Sequence, residues 1–232
     1  FGSGRLMRYT FSDGSQTAVD AFMNAQLSSM GTSDKFLGMS YIYMQMVFDS
    51  EKFGGGIPAT SFLVKGKKVY DPRNNSTAWS DNPALIIRDY LTNTEYGLKA
   101  QTVEINDTTN AGGFASAANT CDQNVTLADG STTEKRYTAN GFTNFSASGN
   151  GIIESILSSM AGKMSYVNGQ FNVFAGASQT PSLTITDDEL LAPLAIQTNS
   201  SGGELYNQVK AIYVDSTQNY TGTDAPLYSD ST

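Results

Sequence analysis

GGGIPATSFLVKGKKVYDPR, residues Gly54 to Arg73, is the stretch on which the predicted fold depends. Pro58 fixes its own φ and has no amide donor, so the glycine-rich start predicts a turn that leads into an extended segment. The aromatic and β-branched side chains from Thr60 to Tyr70 predict a strand, interrupted at Lys65–Lys68 by a tight turn or bulge. Asp71-Pro72 is expected to end this strand.

The composition favours β structure with many turns. The chain has 232 residues, of which 39% are hydrophobic and only 16% are charged, and it is rich in Gly, Ser, Thr and Asn. A hydrophobic content of this size supports a sizeable core in one large domain or two smaller ones. The predicted fold class is therefore α+β and β-rich, with strand-dominated domains and about three short helices packed on antiparallel sheets.

The net charge of -8 bears on possible partners. A protein that holds nucleic acid specifically needs an excess of Lys and Arg to neutralise phosphates, and this chain has the opposite balance. An acidic surface could line a passage that conducts DNA without retaining it, or it could simply keep the protein soluble. The prediction is no specific nucleic-acid binding.

Several chemistries are disfavoured by missing residue types. The chain has no His and one cysteine, Cys121, so it can form neither an internal disulfide nor a His-dependent catalytic or metal site. The acids at 187–189 could suggest Ca²⁺, but they lack the spacing of a known loop and are better explained as caps of a short turn or helix. We expect no cofactor, no metal and no enzymatic activity. The chain opens at Phe1 without Met, and the expectation is an internal piece of a longer polypeptide.

The N-terminal part, residues 1–78, is expected to be a strand-rich domain. A strand is predicted over Arg5–Phe11, and Asp13-Gly14 would form the turn of a hairpin. Thr17–Met30 fits either a short helix or an ordered loop. The apolar, aromatic run Leu37–Phe48 predicts a strand covered on both faces. The domain boundary is weak and falls near 74–81.

Residues 79–232 are expected to form an α+β domain. Helices are predicted from Pro83, over Thr109–Asp122 with a buried Cys121, and over Asn150–Met160. Asp129-Gly130 and Asn168-Gly169 predict hairpin turns, the second of type I′. Further strands are expected over Leu183–Thr186, Leu194–Gln197 and Leu205–Asp215, and beyond Asp215 the polar chain is expected to extend or fray.

An ordered series of short motifs resembles the central region of the tail-tip proteins, also called tip attachment or tail hub proteins, of lambda-like long-tailed bacteriophages. The series covers roughly Gly31 to Asp215 and consists of Tyr41–Phe48, Gly56-Ile57-Pro58, Val64–Arg73, Thr77–Leu85, Asp89-Tyr90-Leu91, Cys121-Asp122, Lys135-Arg136-Tyr137, Asn140-Gly141, Ser158–Gly162, Leu183–Asp188 and Asn207–Lys210. Asn74-Asn75-Ser76 and Ala111-Gly112-Gly113 depart from the usual family pattern.

The resemblance implies a structural role at the distal end of a phage tail in the virion, in a protein made in the bacterial cytoplasm. The expected protein is a homotrimeric hub of the tail tip, or baseplate, that closes or continues the tail tube and takes part in host attachment. Its implied partners are the distal tail ring, the tape measure protein and other tip proteins, with DNA only in transit. Contact with a host receptor is expected through other parts of the chain.

The candidate interface residues all lie in the stretch quoted first. They are Gly56, Pro58, Lys65, Lys67, Lys68, Tyr70, Asp71 and Pro72. For the lysines, the alternative is a solvated turn without function. The alternative function is a receptor- or glycan-binding module on a virion surface, because 12 Tyr with abundant Asn and Thr could form a stacking and hydrogen-bonding surface.

Overall fold

A computed structural model describes residues 6–127, 129–144, 146–178, 183–190 and 206–229. Within these residues the chain has four α-helices and twelve strands, which confirms the mixed α+β class. The strands form six two-stranded antiparallel sheets in the described ranges. The chain divides into two compact units, Phe1–Asp81 and Asn82–Thr232.

The first unit begins with a long antiparallel ribbon. Strand β1 (Met7–Asp13) pairs with β2 (Ser40–Met46), so that Asp13 lies opposite Ser40. Helix α1 (Ala21–Gln26) lies between them in sequence, and the Asp20 carboxylate accepts a hydrogen bond from the Met23 amide at its start. Of the two predictions for residues 17–30, a short helix or an ordered loop, the structure therefore confirms the short helix.

Two predictions for this ribbon are wrong. Asp13-Gly14 does not connect a hairpin, because the strand that pairs with β1 begins only at Ser40. Strand β2 is not covered on both faces, since its one partner strand is β1 and its side chains are exposed or half-buried. An apolar run predicts burial only where other elements supply the covering surface.

The predicted strand Thr60–Tyr70 is wrong for most of its length. Residues 60–67 form neither strand nor helix, and only β3 (Lys68–Asp71) pairs, with β4 (Ser76–Trp79). Lys68 lies opposite Trp79, which is the last residue of β4, so the pairing of the two strands starts at Lys68. The predicted end at Asp71 is confirmed.

The second unit is built around three helices, α2 (Pro83–Thr92), α3 (Phe114–Cys121) and α4 (Gly149–Ser159), close to where the sequence predicts them. Pro83 occupies the first turn of α2, and the Asn82 side chain accepts a hydrogen bond from the Ala84 amide. Helix α2 packs on both α3 and α4. The largest fully buried side chains here are Phe114, Leu85, Ile87, Leu91, Met160, Val173, Asn82, Pro83 and Cys121.

Two hairpins accompany the helices, as predicted. Strands β5 (Asn124–Thr126) and β6 (Thr133–Lys135) form one, and β7 (Lys163–Val167) and β8 (Gln170–Phe174) form the other, with β8 packed on α3. Asn168 and Gly169 have φ values of 54° and 77°, as a type I′ turn requires.

An ion pair between the buried Arg88 and the half-buried Asp107 ties α2 to the loop that precedes α3. The Arg88 guanidinium donates from Nε and Nη2 to the two carboxylate oxygens of Asp107, at 2.7 and 2.6 Å. The Arg88 side chain is 8% exposed and that of Asp107 is 30% exposed. Next to it, Asn106 Nδ2 donates a hydrogen bond to Asn172 Oδ1 at 2.8 Å, which links the same loop to β8.

The C-terminal part contains two small sheets, β9 (Gln208–Val209) with β12 (Tyr228–Ser229) and β10 (Ile212–Asp215) with β11 (Thr221–Asp224). The predicted fraying beyond Asp215 is therefore wrong for 216–229. The strand predicted at 183–186 is wrong too, whereas 187–189 forms the expected short helix, of 3₁₀ type. The strand predicted at 194–197 lies outside the described residues.

Candidate functional site: an exposed surface for assembly

The eight candidate interface residues fall into two groups of different character. Tyr70, Asp71 and Pro72 are half-buried and lie at the end of β3. The other five are exposed and belong to the irregular chain before β3 or to its first residue; they are Gly56, Pro58, Lys65, Lys67 and Lys68. The first group therefore belongs to the turn after β3, and the second group to an exposed segment before it.

The turn between β3 and β4 is held by its own side chains. The Asp71 carboxylate accepts two hydrogen bonds from Arg73 Nε, at 2.9 and 3.1 Å, and one from Arg73 Nη2 at 2.7 Å. The hydrogen bonds from this guanidinium lower the pKa of Asp71, against the opposing effect of burial. Asn75 has a φ of 55° and accepts a hydrogen bond from the Tyr70 hydroxyl at 2.7 Å. Tyr70 and Asp71 therefore stabilise the turn.

Arg73 and Asn75 are functional parts of this turn that the sequence analysis missed. Both stand in the motif Asp71-Pro72-Arg73-Asn74-Asn75. The signal was present, because Asn tolerates the left-handed conformation that the last turn residue adopts and Asp accepts hydrogen bonds from the residue two places on. A hairpin could have been predicted here.

The lysines before the turn keep their charge at the surface. Lys65 Nζ lies 5.1 Å from the centroid of the Trp79 ring, within the range of a cation–π contact. The Lys68 charge contributes to lowering the pKa of Asp13, after the larger effect of the hydrogen bonds from Ser15. The two lysines therefore act on neighbouring groups of their own unit while their side chains stay exposed.

The residues from Ile57 to Val64, which we call the apolar segment, expose their large side chains. Ile57 is 84% exposed, Leu63 80% and Val64 70%. The segment forms neither helix nor strand. Large contiguous exposed apolar patches are typical of interaction surfaces, so this segment is a candidate interface.

The ribbon β1–β2 presents a second exposed surface in the same unit. Tyr9 and Phe11 stand on β1 and are exposed. In this ribbon each strand has one partner strand, so its outer edges offer backbone groups to which a further strand can bind. The hydrophobic side chains that are buried in the described part of the first unit are Met23 and Val69.

The second unit has a smaller mixed surface, which we call the hairpin patch: Val103, Glu104, Tyr166 and Val167. Val103, Tyr166 and Val167 are exposed. Glu104 Oε2 accepts a hydrogen bond from the Gln101 amide at 2.7 Å, and Oε1 accepts one from the Tyr166 hydroxyl at 3.2 Å. Desolvation, followed by the bond to Glu104, raises the pKa of Tyr166. The patch combines a fixed carboxylate with apolar groups.

Cavities and clusters offer little for small-molecule chemistry. A cavity of about 160 Å³ lies between α3 and β8, lined by residues such as Gly112, Ser116, Thr120 and Phe174. Ligand pockets usually exceed about 300 Å³. Among the described residues no group of His, Cys, Asp and Glu is placed to hold a metal ion. Nor does any helix in the described ranges have the length and apolarity to cross a membrane.

The described chain combines helices with two-stranded antiparallel sheets and exposes apolar side chains on the β1–β2 ribbon and in the apolar segment. No known protein family's sequence profile matches the chain. The chain is similar to the tip attachment protein J of Escherichia phage SECphi27, with 28% identity over 189 residues, which cover 75% of this chain and 16% of that relative. This similarity supports a structural role in a phage tail or in host attachment, and a place in the virion.

Proposed function

We propose that the chain is part of a trimeric hub at the distal end of a phage tail, where it closes or continues the tail tube and takes part in host attachment. The observation that carries the proposal is the similarity to a tip attachment protein over 75% of the chain. The matched stretch covers 16% of the length of that relative.

The first unit fits a subunit that is completed by assembly. Its ribbon and its apolar segment expose Phe11, Ile57 and Leu63 to solvent. Two-stranded sheets are marginal in water and gain stability when further strands or surfaces cover them. A head-to-tail contact that closes on itself supplies such cover in a ring of copies.

The charge of the chain supports passage of DNA without retention. With 22 Asp and Glu against 14 Lys and Arg, the protein repels phosphates on average. A hub on the tail axis needs a lining of this kind. In our proposal DNA meets the protein only in transit, and the distal tail ring, the tape measure protein and other tip proteins are its partners.

The proposed role is structural and not enzymatic. The similar protein is named for attachment, and the cavity between α3 and β8 is too small for an ordinary substrate pocket. Gly56, Pro58, Lys65, Lys67 and Lys68 are proposed as parts of an interface, whereas Tyr70, Asp71 and Pro72 act on it through the turn they hold.

A second candidate function is a receptor- or glycan-binding module. It is favoured by the exposure of tyrosines such as Tyr9, Tyr206 and Tyr228, which are 65%, 81% and 70% exposed. Exposed aromatic rings stack on sugar rings and donate hydrogen bonds through their hydroxyls. The hub role accounts in addition for the apolar segment and the open edges.

A cryo-electron microscopy reconstruction of the virion that carries this chain tests the proposal. The expected result is density for the second unit arranged around the tail axis with threefold symmetry. Density away from the axis, or a lasting monomer when the full-length protein is weighed by native mass spectrometry, would contradict the hub. Binding of the isolated chain to host cells, lost on Tyr9→Ala, Tyr206→Ala and Tyr228→Ala, would favour the second candidate.

A further inference from the structure

Charge is divided unequally between the two units. Phe1–Asp81 contains eight Lys and Arg against seven Asp and Glu, a net charge of +1. Asn82–Thr232 contains six Lys and Arg against fifteen Asp and Glu, a net charge of -9. The net negative charge of the protein therefore comes from the second unit.

The exposed basic cluster of the first unit directly follows its apolar segment. Lys65, Lys67 and Lys68 come within four residues of Val64, and all three are exposed. A surface that joins uncovered apolar side chains to positive charge is complementary to one that joins apolar side chains to negative charge. The acidic second unit of another copy of this chain offers such a surface.

We propose that the apolar segment and the three lysines of one copy dock on the hairpin patch of a neighbouring copy. The patch offers Val103, Tyr166 and Val167 to the apolar side chains and the carboxylate of Glu104 to the lysines. Glu104 is held in place by the Gln101 amide and the Tyr166 hydroxyl, so ordering it on binding costs little.

The contact joins different surfaces on the two copies and is therefore head-to-tail. Contacts of this kind form a ring when the rotation between copies closes. The inference thus rests on the proposed hub and names the surfaces through which its copies meet. Charge attraction also favours one orientation of neighbouring copies. Two acidic second units repel each other, and two nearly neutral first units attract each other little.

Cysteine cross-linking of the 232-residue chain tests the docking directly. Two single variants, Leu63→Cys and Val167→Cys, are mixed and oxidised; the native Cys121 is buried and stays unreactive. A disulfide between the two variants requires two copies to meet through the proposed surfaces. Val209→Cys is the matched control, since Val209 is 57% exposed and Val167 is 52% exposed. The expected yield with Val167→Cys is about tenfold above the control, as for an oriented contact.

A charge-reversal series gives a second readout. Lys65→Glu, Lys67→Glu and Lys68→Glu together are expected to weaken self-association about tenfold at low salt, measured by sedimentation, with less effect at high salt. Adding Glu104→Lys to the same chain is expected to restore part of the association. Circular dichroism confirms that each variant keeps its fold.

The outcomes separate this inference from the proposed hub. Preferential cross-linking with charge-dependent association supports it. Assembly into trimers with equal cross-linking of Val167→Cys and Val209→Cys overturns the inference and leaves the hub intact. A chain that stays monomeric at every concentration, together with full-length protein located off the tail axis, overturns both.

Discussion

The two units of this chain differ in where their apolar side chains lie. In the second unit, helices α2, α3 and α4 enclose Leu91, Phe114 and Met160, which are fully buried. In the first unit, large side chains such as Phe11 and Leu63 face solvent. The comparison shows that the helices of the second unit enclose a core, whereas the buried hydrophobic side chains in the described part of the first unit are Met23 and Val69.

The difference follows from the secondary structure of each unit. A helix satisfies its backbone hydrogen bonds internally, so three helices can close around a core within one chain. A two-stranded ribbon leaves both outer edges and at least one face open. The first unit contains two such ribbons, β1 with β2 and β3 with β4, and one short helix, α1.

The largest expected effect is on folding of the separated parts. A fragment of residues 82–178 is expected to unfold cooperatively with a stability of roughly 5 kcal/mol, because it contains the helical core. A fragment of residues 1–81 is expected to show no cooperative transition. Thermal unfolding followed by circular dichroism, with amide dispersion in NMR spectra, measures both; a sharp transition in fragment 1–81 would remove the contrast between the units.

Truncating one phenylalanine in each unit sharpens the comparison. Phe114→Ala is expected to lower the free energy of unfolding by about 4 kcal/mol, because this ring is fully buried. Phe62→Ala, the matched control in the first unit, is expected to change it by less than about 0.5 kcal/mol, since Phe62 is exposed. Urea titration of the chain measures both values, and equal losses would refute the assignment of the core.

The ion pair between the buried Arg88 and the half-buried Asp107 gives a smaller effect. Asp107→Asn removes one charged acceptor from the buried Arg88 and is expected to cost about 2 kcal/mol of unfolding free energy. The control is Asp224→Asn, which breaks the exposed pair between Lys210 and Asp224 and is expected to cost less than about 0.5 kcal/mol. Urea titration of both variants decides whether burial sets the difference; similar costs would mean that it does not.

The smallest effect concerns the turn of the β5–β6 hairpin. Hydrogen bonds, first from the Thr132 side chain and then from the Ser131 and Thr132 amides, lower the pKa of Asp129 from 3.8 to about 2. Because the folded-state pKa is depressed, the stabilisation is fully present above pH 3.8 and is lost as the pH falls through about 2. NMR titration of the Asp129 carboxyl is expected to give a midpoint near 2.

Thr132→Val removes the largest contribution and is expected to raise the Asp129 midpoint toward 3.8. Thr133→Val, one residue further along, serves as the control and leaves the midpoint unchanged. An unshifted midpoint in Thr132→Val would show that the turn amides alone depress the pKa.

Elements with local signals could be predicted from the sequence. Asn82-Pro83 contains both a cap and a residue suited to the first helical turn, and α2 begins there. Asn168-Gly169 supplies the positive φ values of its turn. In each case the signal lies within the element itself, so it can be read without knowing what the element packs against.

Elements that need a distant partner could not be predicted in the same way. Residues 60–67 have the composition of a strand, but no strand lies alongside them in the described chain. Conversely, β11 is polar and was expected to fray, yet it pairs with β10 through the turn at 216–218. Strand propensity shows which residues suit a strand, but it does not show whether a second strand is present to pair with them.

The candidate site could be predicted only in part. The sequence places Lys65, Lys67 and Lys68 on an exposed segment, and the structure agrees, but their role as an interface stays a prediction. The support that Arg73 and Asn75 give to the turn was missed because it depends on side-chain hydrogen bonds. The hairpin patch joins residues far apart in sequence, Glu104 and Tyr166, and no local pattern reveals it.

Cys121 has a practical consequence for kinetic measurements. Its thiol is buried in α3, with its sulfur 3.7 Å from that of Met160. A thiol reagent added in a pulse can therefore modify the native chain only while the helical core is open. The labelling rate then measures how often the second unit opens. Fluctuations of the ribbon in the first unit do not change this rate.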